Sequence, residues 1–350
     1  MRRSERSEIF WDRRLAQLRV SLVLGSGSTL GITERDQKTG SMNHSDIDEL
    51  ARRHHGYVAS DGSGFRRAAR TLQSVWRKTK GYPAGEHNGR TLGSRLPTDF
   101  AKESLANYLT PTIREVVRTE LSSSSEQGRL FAVPRIYNDL LSSQPLCFNL
   151  FGELVADLDL ATALFRFLRP AAVEKVTAIR FEHSPGRGDP RFTGDRSAFD
   201  VFIEYRHQSG GHGFFGIEVK YHEDLAGKPA AHRPRYDEVA QTMGCFRPDT
   251  GPRLRESPLQ QIWRDHLLAG ATKSELGYED GVFVFLYPSC NTHCKSAVDR
   301  YQETLTDMGT FEVWTLEAVV NALRKISRAP WTEAFHQRYL DFSALERAAK

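Results

Sequence analysis

The sequence predicts an α/β fold of the α+β type, a mixed β-sheet flanked by helices in the order α-β-β-β-α-β behind a helical N-terminal extension. Three observations carry this reading. An apolar stripe at helical spacing leads into three short runs rich in β-branched and aromatic residues. The turn between the second and third runs is too short for a crossover, so it reads as an antiparallel hairpin. Beyond it, helical and strand patterns alternate, which places helices against the sheet.

Taken in order, residues 1–60 are rich in Gly, Ser and charge and lack sustained periodicity, which predicts a weakly ordered arm. Within it, GSGSTLG (Gly25 to Gly31) follows the apolar VSLVL. A phosphate loop must open into a helix, and no apolar stripe follows, so the segment reads as a turn. The natural start is either Met1 or Met42. Residues 61–140 form a helical, basic region. Ala68, Leu72, Val75 and Trp76 lie about one turn apart, while Arg66, Arg67, Arg70, Arg77 and Lys78 take the other faces. Further helices are expected over Asp99 to Tyr108 and over Thr112 to Leu121 behind Pro111. The basic faces fit either solvent or a nucleic-acid backbone.

Residues 141–345 read as the core. FGELVADLDLATALFRFL is expected as one helix, with Leu154, Leu158, Ala161, Leu164, Phe165 and Leu168 as its buried stripe and Pro170 beyond its end. Strands follow over Val176 to Phe181, Ala198 to Tyr205 and Gly213 to Tyr221. Then come a helix in PLQQIWRDHLLAG, strands in GVFVFLY and FEVWTL, and a helix from Glu317 to Ile326. The segment 222–257 holds Lys228, Arg233, Arg235, Arg247, Arg253 and Arg255 among Gly and Pro, which fits either a solvated loop or a loop-rich insertion with Arg233 and Arg235 as candidate nucleic-acid contacts.

Composition narrows the function classes. Of the 350 residues, 39% are hydrophobic and 26% charged, and no run approaches the roughly 18 apolar residues of a membrane span. A cytoplasmic protein is expected, since charges interrupt the basic start before any secretory apolar stretch forms. Four scattered cysteines predict free thiols, and Cys290, His293 and Cys294 lack an obvious fourth ligand for zinc, with Cys245 distant. The net charge of +4 with Arg-rich stretches is compatible with a polyphosphate partner.

The chemistry concentrates in the predicted hairpin. Asp200 sits mid-strand beside Phe199, Val201 and Ile203, where an aspartate is disfavoured without a ligand. With a period of two, Glu218 and Lys220 share one strand face while Ile217, Val219 and Tyr221 line the other. Two converging carboxylates beside a lysine suit magnesium-assisted phosphodiester cleavage, though alternating polar residues also occur on solvated hairpins. Gln261, Arg264 and Leu268 share one side of the following helix, a face that fits either solvent or a role for Gln261 and Arg264 in holding phosphate or ordering Lys220. His222 continues the Glu218 face at the strand end.

These residues resemble the PD-(D/E)XK nuclease superfamily, whose restriction-endonuclease-like core has this element order. Phe199 and Asp200 stand where the family has proline and aspartate, and the ExK triplet is intact as Glu218, Val219 and Lys220. The resemblance implies that Asp200, Glu218 and the Val219 carbonyl bind Mg²⁺, with Mn²⁺ able to substitute, and that Lys220 acts on the water. It also implies a helix-borne carboxylate, Glu153, with Asp157 in reserve. TLQSVWR, LGSRLP, AKESLANYLT and SSQPLCFNLFGEL are similar to a family of bacterial restriction endonucleases, from about Phe65 to Tyr339. That likeness implies DNA as substrate and restriction or anti-phage defence as purpose, with a homodimer expected for cutting both strands. A nuclease-like module that binds DNA without cleaving it, and an RNA-directed nuclease, are the alternatives.

Overall fold

The computed structural model of the chain describes residues 42–124 and 128–350. The part of the expected arm over residues 1–41, including the Gly25 to Gly31 turn, lies outside the described residues. Residues 42–350 form one unit. The arm also ends earlier than residue 60. α1 (His44–Arg53) begins at Asn43, whose side chain accepts from the Asp46 N–H, and Leu50 and Ala51 are buried. α2 (Gly64–Thr79) is capped in the same way by Ser63.

A short hairpin, β1 (Gly85–His87) with β2 (Arg90–Leu92), precedes α3 (Thr98–Ser104), α4 (Pro111–Ser122) and α5 (Arg135–Asn138). α3 stops short of Tyr108 because Leu105 takes the left-handed conformation, φ +47°. The single helix expected over Phe151 to Leu168 is two: α6 (Ser143–Ala156) and α7 (Leu158–Leu168). Asp157 divides them, because its carboxylate accepts from the Leu160 N–H and so caps the second helix.

The sheet carries the site. β3 (Val173–His183), β4 (Phe199–His207) and β5 (His212–Val219) pair antiparallel. β6 (Asp280–Tyr287) and β7 (Phe311–Thr315) add in parallel, giving the order β3-β4-β5-β6-β7. Parallel neighbours need crossovers. α8 (Pro234–Met243), α9 (Gly251–Leu254) and α10 (Leu259–Leu276) lie between β5 and β6, and α11 (Thr292–Gln302) lies between β6 and β7. α12 (Leu316–Ile326), α13 (Pro330–Tyr339) and α14 (Ser343–Ala349) close the chain.

Strand alternation divides the core into two layers. Val201, Ile203, Ile217, Val219 and Tyr221 pack with α4, α6, α7, α12 and α13. Phe202, Phe214, Phe283 and Phe285 pack with α8, α10 and α11. Glu218 and Lys220, out of phase with Ile217 and Val219, therefore belong to the α10 side.

The arginines of α2 fit neither of the two readings offered for its basic face. Arg70 is buried in a two-point pair with Asp61 (Nε–Oδ2 2.7 Å, Nη2–Oδ1 2.9 Å), and Arg77, also buried, donates from Nε to the Gly93 carbonyl at 3.0 Å. Arg66 pairs with Asp61 and Arg67 with Asp48. These cations fasten α2 into the fold.

Candidate active site

The β4–β5 ladder ends at Val201 opposite Ile217, and one step further brings Asp200 opposite Glu218. There the Asp200 carboxylate takes over the acceptor role of a ladder carbonyl: Oδ2 accepts from the Val219 N–H at 2.8 Å. Phe199 is fully buried in the α10-side core, and its ring covers Gly216, where a Cβ would collide with it. An aromatic before the aspartate thus anchors the strand start. Glu218 Oε1 accepts twice, from Lys220 Nζ at 2.5 Å and from Gln261 Nε2 at 2.7 Å. Both Glu218 (6% exposed) and Lys220 (8%) are buried. Lys220 sits behind Glu218, while a cleft of ≈ 400 Å³ opens on Asp200, Glu218, Lys228, Gln261, Arg264 and Asp265.

The cleft wall is held by hydrogen bonds from its own insertion. Gln260, buried beside Gln261, donates to the Ala230 carbonyl and accepts from the Ala230 N–H, both at 2.6 Å, and fixes the loop that carries Lys228. Arg264 is fastened by Asp195, whose Oδ2 accepts from its Nε (3.0 Å) and Nη2 (2.8 Å). Arg264 Nη2 also reaches Ser197 Oγ at 2.7 Å. Burial opposes the Asp195 charge. Donors from Tyr236, the Ser197 amide and Arg264 outweigh it and draw the carboxyl down to about 2.

Negative charge accumulates around Glu218. Burial, then the neighbouring Glu218, raises Asp200 well above the usual carboxylate range, against the pull of Lys220 and the Val219 amide. Asp265 is raised in the same way, by burial and then by Glu218. Glu182 stands in register opposite Asp200, with a left-handed φ of +48°, and is raised mainly by burial, with Glu218 adding to it. Burial also works against the Lys220 ammonium, but Glu218, Glu223 and Asp200 prevail and hold it charged, well above its ordinary value. Carboxylates crowded on one lysine form a donor set that a divalent cation would neutralise.

The family model of the PD-(D/E)XK nuclease superfamily matches residues 59–341, most of the chain. The chain belongs to this superfamily. No curated protein and no solved structure gives a match. Nucleases of this superfamily generally use divalent metal ions.

Asp200, Glu218, Val219 and Lys220, with Gln261, converge as the sequence places them. Glu153 does not join them. α6 packs on the other layer of the sheet, and Glu153 bonds instead to Thr110, the residue that caps α4. The part of α6 that approaches Glu182 is its first turn, through Gln144 Nε2 at 3.4 Å, nine residues and roughly 13 Å of helix away from Glu153. Asp157 is committed to its cap. Arg233 donates to the Gly194 carbonyl, and Arg235 to the carbonyls of Phe192 and Arg191, so both fasten α8 to the β3–β4 loop. His222 lies past the end of β5 and does not line the cleft. Among the described residues no three His, Cys, Asp or Glu side chains draw together as a closed metal cluster, Cys290, His293 and Cys294 included. The cleft offers two carboxylates, Asp200 and Glu218, to a cation.

Sequence reasoning missed Asp265, Glu182 and Asp195. Asp265 was within reach, because it follows Gln261 by four residues on the same helix face.

The raised carboxyls have a thermodynamic consequence. A carboxyl whose folded pKa exceeds its unfolded value contributes stability that is complete below the unfolded value, about 3.9, and is lost as pH rises through the folded one. In EDTA, Asp200→Asn should therefore gain on wild type in melting temperature as pH is raised from about 4 to neutrality, and added Mg²⁺ should reverse the order. A gap independent of both pH and metal would contradict the crowding.

Proposed function

We propose that this nuclease is a metal-dependent endonuclease that hydrolyses DNA phosphodiester bonds, with Mg²⁺ as its ion and Mn²⁺ able to substitute, in restriction or anti-phage defence. The observation that carries the reading is the convergence on one open cleft of Asp200 and Glu218, with Lys220 Nζ 2.5 Å from Glu218. The likeness of TLQSVWR, LGSRLP, AKESLANYLT and SSQPLCFNLFGEL to bacterial restriction endonucleases supports DNA as substrate and defence as purpose.

Asp200, Glu218 and the Val219 carbonyl would hold the cation, which supplies Lewis-acid polarisation of the phosphate and a more acidic water. The chain's own groups do the rest. Lys220, whose ammonium the surrounding carboxylates favour, serves to orient water and to steady the negative charge that develops on phosphate. Gln261 fixes the Glu218 carboxylate from the helix side. Arg264, paired with Asp195 on the cleft wall, and Lys228, exposed on the facing loop, are the basic groups the cleft offers to the DNA backbone.

Digestion of supercoiled DNA, linear duplex, single strands and RNA, each with Mg²⁺, Mn²⁺ or EDTA, tests this directly. Both duplex forms should be cut internally with either metal and left whole in EDTA. Cleavage confined to RNA, or salt-sensitive DNA binding without cleavage in either metal, would overturn the reading.

A further inference from the structure

One carboxylate of the cleft has no counterpart in the roles assigned above. Asp265 lies on α10 one turn after Gln261, so it presents to the cleft from the same helix face that reaches Glu218. It is 5% exposed, and its Oδ2 is buried with no hydrogen-bond partner among the described residues. The two cations that act on it, Arg264 and Lys220, are engaged elsewhere. Arg264 is turned onto Asp195 and Ser197, and Lys220 onto Glu218. A buried carboxylate oxygen left in this state is strongly unfavourable unless a proton or a cation joins it.

Asp265 also stands apart from a direct three-carboxylate cage, since no three such side chains draw together among the described residues. Mg²⁺ dehydrates reluctantly and keeps several waters, so a carboxylate just outside its ligands acts by binding those waters. We propose that Asp265 is an outer carboxylate of the divalent-cation site, holding the ion's hydration shell from the α10 wall while Asp200 and Glu218 hold the ion itself. It is a positioning residue, and the inference rests on the metal-dependent reading given above.

The test is calorimetric titration of Mn²⁺ into the full chain, wild type against Asp265→Asn, together with thermal melts in EDTA. Mn²⁺ should bind Asp265→Asn about 10- to 100-fold more weakly at unchanged stoichiometry, the usual effect of removing an outer-shell partner. The variant should melt no earlier than wild type in EDTA, because the carboxyl it replaces holds a buried oxygen without a hydrogen-bond partner. Unchanged Mn²⁺ affinity with a lowered melting temperature would make Asp265 a structural residue and overturn the proposal. If Asp265→Asn does not yield folded protein, Asp265→Ser carries the same two expectations. Absence of Mn²⁺ binding in wild type would overturn the metal-dependent reading itself, and is told apart because it is seen before any variant is compared.

Discussion

Asp200→Asn should lose roughly 10³-fold or more of DNA cleavage in Mg²⁺ while its fold becomes no less stable in EDTA. The asparagine oxygen can still accept the Val219 N–H that Asp200 Oδ2 accepts at 2.8 Å, so the start of β4 keeps its tie to β5. What disappears is one negative charge from a crowded, buried group. Stability and activity should therefore move apart, the behaviour of a residue retained for function at a cost to the fold. Lys220→Met makes a useful contrast. It should lose activity on a similar scale, but it leaves the buried Glu218 without its cation and should destabilise the protein by about 3 kcal/mol. Nicking of supercoiled DNA and thermal denaturation read the two effects separately. Wild-type cleavage by purified Asp200→Asn would remove this carboxylate from the site.

Why some of this was legible in the sequence and some was not follows from the range of the forces involved. The hairpin and the parity of Glu218 and Lys220 are local properties, set by a period of two and by β-branched and aromatic composition, and the strands lie where that pattern puts them. Which layer a helix joins is not local. Glu153 has suitable chemistry on an apolar helix, yet α6 packs on the Val219 side of the sheet and not on the Glu218 side. The arginines of α2 look like a solvent or DNA face because their partners, Asp48 and Asp61, come from outside the helix. Glu182 was hidden because the apolar alternation stops at Phe181, while pairing continues to His183 through a left-handed residue. Asp157 ends a helix without the help of Pro or Gly, by capping the next one. Asp195, in a polar segment of Gly, Asp and Arg, carries no periodic signal at all. Its importance comes only from the groups that gather round it.

Those groups make Asp195→Ala the change expected to harm the fold most. Its side chain is 7% exposed, and it accepts from Thr193, Ser197, Tyr236 and Arg264. Alanine would leave the Arg264 guanidinium half-buried without its anion, and removal of one partner from such a pair costs about 3 kcal/mol or more. The Tyr236 hydroxyl, which ties α8 to the same carboxylate, would lose its acceptor as well. Because the Asp195 pKa is lowered to about 2, its contribution is fully present above the unfolded carboxylate value and fades only as pH falls through about 2, so the loss should be undiminished at neutral pH. Arg264→Met removes the cation instead and should also weaken DNA binding through its place on the cleft wall. If the pair acts as one unit, the double variant Asp195→Ala/Arg264→Met will be less destabilised than the sum of the two single changes, since neither charge is then left alone. Urea denaturation of the four proteins measures that coupling. Additive losses would mean that Asp195 organises the β3–β4 loop and α8 independently of Arg264, and that the arginine is held in the cleft by packing alone.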